Sequence, residues 1–282
     1  MIAPLRAGGS VYGYAPYCGA PPDPADLLWR WNLDPVLIVA LCAIAASYAL
    51  LTRSRGPAWV APWRRLCFYG GWSLGAAALI SPLCALSVSL FSARVSQHMV
   101  LEMIVAPLIA LGRPSVFLAW LGRLGGKPPI TPRSHGALAA SGVFAAALWF
   151  WHAPGPYTAT FASDGVYWLM HVTAFGTALW LWTALFAAAR ERLGDFLAAA
   201  TVTTLQMGFL GAVLTFAADP IYRVHWLTTA AWGMTPLQDQ QLGGVIMWIP
   251  AGAVILGAIT TAMALAMRRA GARPPTPASA RA

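Results

Sequence analysis

A polar stripe interrupts one of the apolar segments of this 282-residue sequence. Arg94, His98 and Glu102 follow each other at four-residue spacing in "SARVSQHMVLEMIVAPL", so in a helix they lie on one face. Charged groups inside a membrane span cost roughly 2.5–3.5 kcal/mol, and they usually pair with one another or mark a site. One interpretation is an intrahelical network that only orients the helix. The other is a binding site in which His98 is a metal ligand and Glu102 either forms a hydrogen bond with His98 or carries a proton. Arg94 lies near the predicted end of the span, and we expect its guanidinium to extend into water.

Two further histidines are predicted at the same depth as His98. His152 closes an apolar run in "WHAPGPY", and His171 lies in "YWLMH". Either one alone is typical of a helix end or of a buried histidine with one hydrogen bond, but three from three different helices indicate a shared site. Imidazole binds copper, zinc, iron and haem, and thioether sulfur favours Cu(I). Met99 and Met247 are therefore candidate soft ligands, although methionine also fills gaps in apolar cores.

The composition is that of an integral membrane protein. Hydrophobic residues make up 59% of the sequence and charged residues only 10%, whereas soluble domains carry about 25% charged residues. The net charge of +9 would suit a nucleic-acid partner, but the basic residues lie in short segments between apolar runs, which excludes that class. The sequence has no nucleotide-binding motif and no CxxCH motif for covalent haem. We therefore do not expect an enzyme, while haem held between two histidines stays open.

Seven apolar runs are long enough to cross a bilayer as helices, which takes about 20 residues. They predict an all-α, polytopic membrane bundle, because no run alternates like a barrel strand. Pro107 predicts that the third span kinks or ends early. The sequence thus divides into a tail over 1–34, a bundle over 35–268 and a tail over 269–282. The predicted spans are 35–52, 66–90, 95–121, 137–153, 165–189, 196–217 and 242–267.

The basic residues predict the orientation of the bundle. With the N-terminus outside, fourteen of the 18 Lys and Arg residues fall in inner segments and four in outer ones, and the inner side is normally the positive one. The C-terminus is then cytoplasmic. This orientation brings all three histidines to the outer face, with Asp239 in the long outer loop before the last span. Cys18 and Cys84 can share that face, whereas Cys42 and Cys67 lie inside spans.

Several motifs, taken in order, resemble the CtaG-like family of cytochrome c oxidase assembly factors. The most specific are "SPLCALSVSLFSA" followed by "QHM", then "WHAPGPY" and "DQQLGGVIMW", and the resemblance extends over about residues 29–268. It implies a multi-pass protein of the bacterial inner membrane that assists copper delivery to an oxidase, with oxidase subunits and other copper chaperones as partners. The polar positions that it carries over are His98, His152, His171, Asp239 and Gln240.

Three positions depart from the family pattern. Arg94 and Tyr167 stand where the family has a histidine, and Cys84 stands where it has an aspartate. A guanidinium cannot bind a metal, because it has no free lone pair at neutral pH. The chain is then either a divergent member or a paralogue that no longer binds metal. A divergent member would have a rebuilt copper site of His98, His152, His171 and Cys84, with Glu102, Asp239, Arg94 and Tyr167 beside it as hydrogen-bonding or proton-carrying groups. Two alternatives remain open: a metal-free scaffold for oxidase subunits, and a haem- or quinone-binding redox protein.

Overall fold

The computed structural model describes residues 16–53, 60–117 and 136–271. All regular structure in these ranges is helical. A π-helical turn, Leu101–Val105, joins α4 to α5, and short 3₁₀ helices cover Leu27–Trp29, Arg223–His225 and Ala230–Trp232. The helices that these ranges define are α1 (Pro35–Arg53), α2 (Pro62–Ile80), α3 (Leu83–Ser89), α4 (Phe91–Val100), α5 (Ala106–Leu111), α6 (Ala137–His152), α7 (Pro154–Ala162), α8 (Asp164–Glu191), α9 (Leu193–Thr215) and α10 (Pro236–Gly271).

The prediction of an all-α membrane bundle is confirmed. Five helical segments of the described ranges are long and apolar enough to cross a bilayer, and the number rises to seven if each of two bent pairs is one span. The chain bends by 52° between α2 and α3, and by 70° between α6 and α7. Pro82 and Pro154 stand at these breaks, because proline cannot continue the preceding helix but is well suited to begin the next. The predicted span 66–90 is thus a bent pair of helices.

Pro107 reshapes the third span without breaking it. In the preceding π-helical turn, the N–H of Ala106 donates to the carbonyl of Leu101, five residues back instead of four. The carbonyl of Glu102 would then need the N–H that Pro107 lacks, and the Trp182 indole on α8 donates to it instead, at 2.8 Å. Such turns often lie at functional sites, and this one contains Glu102. The continuous helix then ends with α5, before the predicted limit of the span.

The last helix begins at Pro236, earlier than the predicted start at residue 242. Its start is a capping box, in which the Thr235 N–H donates to the side-chain oxygen of Gln238 at 2.9 Å and the Gln238 N–H donates to the Thr235 hydroxyl at 3.2 Å. The prediction that Asp239 lies in a loop is therefore wrong, since this residue belongs to the first turn of α10. Threonine followed three residues later by glutamine is a known sequence signature of a helix start.

Two glycines let α10 approach its neighbours closely. A Cβ atom at Gly244 would lie 2.7 Å from the carbonyl oxygen of Gly211 on α9, and one at Gly243 would lie 2.5 Å from the ring of Phe91 on α4. Small residues at such positions permit the close backbone contact that holds membrane helices together. As a result, α10 packs against both α9 and the helix that carries His98.

The two ends of the bundle differ in chemistry. At one end, which we name the arginine end, Arg64 lies close enough to Arg113 and Arg190 to interact with them electrostatically. The opposite end, which we name the histidine end, contains the loop before α10 and the three predicted histidines, one each on α4, α6 and α8. This separation agrees with the charge asymmetry of the sequence, and the side of the membrane that each end faces stays a prediction.

A segment before α1, residues 16–34, is fastened to the histidine end, and we name it the cap segment. A disulfide joins Cys18 to Cys84, the Tyr17 ring stacks on that of Tyr167 with centroids 4.8 Å apart, and the Tyr17 hydroxyl donates to Asp34. This part of the predicted N-terminal tail is therefore attached to the bundle. Residues 1–15 and the tail after residue 271 lie outside the described residues.

Candidate functional site

His98 and His171 lie side by side at the histidine end. Their ring centroids are 5.0 Å apart, and Nδ1 of His98 lies 3.4 Å from a carboxylate oxygen of Glu102, one turn further along the helix. The other oxygen of Glu102, Oε2, is buried and has no hydrogen-bond partner in the described part of the chain. Within the stripe His98 thus pairs with Glu102, and His171 on α8 lies next to this pair.

The hydrogen bonds of two histidines determine which ring nitrogen carries the proton. His152 donates from Nδ1 to the carbonyl of Leu148 at 2.7 Å, and His171 donates from Nδ1 to the carbonyl of Tyr167 at 3.0 Å. Because a carbonyl only accepts, Nε2 of each neutral ring keeps its lone pair. Nε2 of His171 is buried without a hydrogen-bond partner among the described residues. Metal-binding histidines commonly have this arrangement, in which a neighbour fixes one nitrogen and the other is free to bind.

A cavity of about 30 Å³ is lined by His98 and His152 but not by His171. This volume corresponds to about one water molecule, so this cavity has room for an ion but not for a haem or quinone ring, whereas His171 lines a separate, mostly apolar cavity of about 500 Å³. Met99 and Met247, which are the predicted soft ligands, line the smaller cavity together with a third methionine, Met170. Its polar lining includes Arg94, His98, Glu102, His152, Tyr157, Thr160 and Thr177.

The three histidines do not form one compact cluster. Among the described residues, no three His, Cys, Asp or Glu side chains are grouped closely enough to hold a metal ion. His98 and His171 form the close pair, and His152 lines the cavity with His98. Because metal–nitrogen bonds are only about 2 Å long, an ion bound by all three rings would have to draw their side chains together.

Arg94 lies inside the bundle and not at its interface with water. The residue is 4% exposed, and its guanidinium donates to the hydroxyl of Thr160 at 2.7 Å. The guanidinium carbon lies 4.5 Å from the ring centroid of Phe161 and 5.2 Å from that of Tyr157, distances at which an aromatic face attracts a cation. The expectation that Arg94 extends into water is therefore wrong, because α7 holds its charge inside the protein.

Cys84 has no free thiolate in this structure. Its sulfur is bonded to that of Cys18, and only a thiolate would serve as the predicted metal ligand. The Tyr167 hydroxyl donates to the sulfur of Cys18 at 3.4 Å and lies 3.8 Å from that of Cys84. The ring of Tyr167 packs on that of His171 with centroids 4.2 Å apart. Tyr167 thus lies between the disulfide and the pair of histidines.

Asp239 anchors the helix that carries His98. It is fully buried, and its carboxylate accepts from the N–H groups of Phe91 and Ser92 at 2.7 and 3.0 Å, and from the Ser92 hydroxyl at 2.5 Å. These groups open α4, whose own N-cap residue, Leu90, provides no side-chain cap. The carboxylate also faces the positive end of the helix dipole. Asp239 therefore orients His98 through the backbone of α4.

The neighbouring Gln240 fastens the loop before α10. Its side-chain oxygen accepts from the N–H of Ile221 at 2.6 Å, and its amide nitrogen donates to the carbonyl of Leu214 at 3.3 Å. Together with the two glycines, this explains much of the "DQQLGG" motif, whose polar side chains connect helices and loops of the histidine end.

Both ring nitrogens of His225, in the same loop, form hydrogen bonds. The sequence did not predict this structural role. Nδ1 donates to the carbonyl of Ser89 at 3.2 Å, and Nε2 accepts from the Tyr157 hydroxyl at 2.7 Å. The Thr228 hydroxyl donates to the same carbonyl at 2.6 Å. Burial, and after it the positive charge of Arg94, lowers the pKa of His225 to about 3. We therefore regard His225 as a neutral structural residue.

These features define a class of protein: a polytopic helical membrane protein with a buried histidine-containing site at one end of its bundle. A family model for the cytochrome c oxidase caa3 assembly factor (Caa3_CtaG) matches residues 45–269. The chain belongs to this family, which confirms the resemblance of its motifs and connects it with the assembly of cytochrome c oxidase. No curated protein and no solved structure matches the chain at a significant level.

Proposed function

We propose that the chain assists cytochrome c oxidase assembly by holding a copper ion at the histidine end, on the outer face of the membrane, and passing it to an oxidase subunit. The observation that carries the proposal is the buried Nε2 of His171, which has no hydrogen-bond partner among the described residues. A buried polar atom without a partner costs about 1–3 kcal/mol. Such an atom beside a second histidine supports a ligand-binding site at this position.

The surroundings of the histidines fit a soft metal ion. Met99, Met170 and Met247 bring thioether sulfur to the cavity, which favours Cu(I). The carboxylate of Glu102 supplies a negative charge, and its Oε2 has no hydrogen-bond partner in the described ranges. Copper would be the cargo of the protein and not a resident cofactor, and no catalytic step is required.

Arg94 would limit how tightly a cation binds. Its guanidinium lines the same cavity and stays charged at every physiological pH, so it repels a nearby metal ion. Since a carrier must also release its cargo, a moderate affinity suits delivery better than storage.

The test combines copper analysis of the purified protein with oxidase activity in cells. We expect His98→Ala/His171→Ala to retain at least tenfold less copper than the wild type, because the two closest imidazoles are lost. In a strain that lacks the chain, this variant should restore oxidase activity only when copper is added to the medium. His225→Gln is the matched control, because it removes a histidine of the same end whose nitrogens are both bonded. Unchanged copper content in the double variant would rule out the site.

A metal-free scaffold for oxidase subunits is the second candidate function. It is favoured by the buried charge of Arg94 and by the lack of a three-ligand group among the described residues. If it is correct, neither the wild type nor the double histidine variant holds copper, and both restore oxidase activity equally without added copper. The same experiment therefore separates the two functions.

A further inference from the structure

We propose that Cys18 and Cys84 form a redox-controlled Cu(I) site: joined as a disulfide they cannot bind the ion, and reduced to two thiols they bind one Cu(I) ion beside the histidines. The inference rests on the proposed function only for the identity of the metal. It assigns a role to a covalent link that the oxidase-assembly family membership does not explain.

The two sulfur atoms belong to a continuous row of side chains that leads into the bundle. The Tyr167 hydroxyl lies 3.4 Å from the sulfur of Cys18 and 3.8 Å from that of Cys84. The Tyr167 ring packs on His171, and the His171 ring lies 5.0 Å from that of His98. An ion bound by the sulfurs would thus be separated from the two histidines by one side chain.

Reduction would convert this pair from poor ligands into good ones. Thiolates, and not disulfide sulfurs, bind soft metals such as Cu(I). Two sulfur atoms that can form a bond with each other can also reach one ion between them. The reduced pair would therefore supply two soft ligands, with the Tyr167 side chain between them and His171.

The two cysteines of the disulfide differ in exposure. Cys18 is only half-buried and precedes the exposed Gly19, which has a positive φ of 88° in a turn, whereas Cys84 is fully buried. The described part of this segment has little regular structure, namely the 3₁₀ helix Leu27–Trp29. Besides the disulfide and Tyr17, Asn32 also attaches it to the bundle, by hydrogen bonds to the carbonyl groups of Leu79 and Ile80. Because Cys18 is the more exposed of the two cysteines, a thiolate from a partner can attack its sulfur and release that of Cys84.

The reduction is a thiol–disulfide exchange with a dithiol protein of the thioredoxin type. One thiolate of this reductant attacks Cys18, the bond between Cys18 and Cys84 breaks, and a mixed disulfide forms. The second thiol of the reductant then resolves the mixed disulfide. Two electrons and two protons pass to the cysteine pair, and the reductant leaves as a disulfide. Cu(I) displaces the thiol protons without a change in its own oxidation state.

The test is a Cu(I) titration of the full-length, detergent-solubilised chain against a chromophoric Cu(I) chelator. The background carries Cys42→Ser and Cys67→Ser, which remove the two free cysteines of the described ranges. After reduction with dithiothreitol and removal of the reagent, the chain should bind one more equivalent of Cu(I) than before. Cys18→Ser and Cys84→Ser should each lose this additional equivalent. Alkylation of the reduced thiols with N-ethylmaleimide should remove it as well, without depending on the folding of a variant.

Equal binding before and after reduction, or an additional equivalent that survives alkylation, would overturn the inference. The histidine variant His98→Ala/His171→Ala distinguishes this outcome from a failure of the proposed function. If that variant loses no copper in the oxidised state while reduction still adds an equivalent, the histidine site is wrong and the cysteine site stands. If copper is lost with the histidines and reduction adds nothing, the cysteine site is wrong and the histidine site stands.

Discussion

The polar residues of the histidine end differ in what their hydrogen-bonding groups are used for. Asp239, Gln240 and His225 bond to backbone groups of other helices and loops. His171 and Glu102, in contrast, each keep one buried polar atom without a partner among the described residues. A polar residue in a family motif can therefore hold the fold, while its neighbour is available for binding.

Replacing Asp239 should destabilise the protein although it is not a ligand in the proposed copper site. In Asp239→Asn, an NH₂ group replaces one of the oxygens that accept from the first N–H groups of α4, and the charge that faces the helix dipole is lost. We expect a loss of about 1–3 kcal/mol in the free energy of unfolding, measured by denaturation in detergent. The matched control is Asp195→Asn, which also lies in a first helical turn but pairs with Arg192 on the surface, where such pairs contribute little. Equal stability of both variants would contradict the anchoring role.

His225 should make the stability of the protein depend on pH. Its pKa is about 3 in the folded protein and about 6.5 in the unfolded chain. Below pH 6.5 the unfolded chain therefore binds a proton that the folded protein does not, and stability falls by up to about 1.4 kcal/mol per pH unit until about pH 3. Unfolding midpoints at pH 7.5 and 5.5 should differ less in His225→Gln than in the wild type. An equal difference in both proteins would contradict a neutral, buried His225.

At the scale of elements, α10 is the helix on which the histidine end depends. Asp239 in its first turn caps α4, Gln240 in the same turn fastens the preceding loop, and Gly243 and Gly244 let the helix approach α4 and α9. The positions of His98 and of its cavity therefore depend on the close packing of a helix that carries none of the three histidines.

Substituting Gly244 should disturb this packing. The Cβ atom in Gly244→Ala would lie 2.7 Å from the carbonyl oxygen of Gly211 and 2.8 Å from the N atom of Thr215, and overpacking of this kind typically costs 1–3 kcal/mol. In Gly252→Ala, on the same helix, the Cβ atom meets nothing within 4 Å, so alanine should be neutral or slightly stabilising. The thermal midpoints of the two variants in detergent test this difference. A Gly244→Ala protein as stable as Gly252→Ala would show that α10 can shift away.

At the scale of the whole molecule, a group of three arginines and the three histidines lie at opposite ends of the bundle. Arg64, Arg113 and Arg190 gather at the arginine end, and the histidines lie at the other. An inner side rich in Lys and Arg is the rule in membrane proteins. The orientation with the histidine end outside would place the proposed copper site in the compartment where a disulfide between Cys18 and Cys84 persists.

Labelling of single cysteines tests this orientation. In a Cys42→Ser/Cys67→Ser background, Leu227→Cys in the exposed part of the loop before α10 should react with a membrane-impermeant maleimide applied to the outer face of intact spheroplasts. Arg192→Cys, at the exposed end of α8, should react only after lysis. The reverse pattern would place the histidine end in the cytoplasm and contradict copper delivery on the outer face.

Much of the architecture could be predicted from the sequence alone, because helix and membrane preferences are properties of short stretches. The apolar runs predicted an all-α membrane bundle. The breaks at Pro82 and Pro154 were not predicted, although they follow from the chemistry of proline. The early start of α10 was also encoded locally, in the capping box of Thr235 and Gln238. The four-residue spacing likewise placed His98 and Glu102 on one helix face, where the structure has them in contact.

Only the tertiary structure decided how polar groups that are distant in the sequence are paired. Asp239 caps a helix that lies 148 residues away in the chain, and Cys18 reaches Cys84 over 66 residues. Arg94 is buried because α7 folds back over it with a hydroxyl and aromatic rings. The physical reason is that the local sequence determines which surfaces of a helix must be buried, whereas the partner of each buried polar group depends on how separate helices pack against each other.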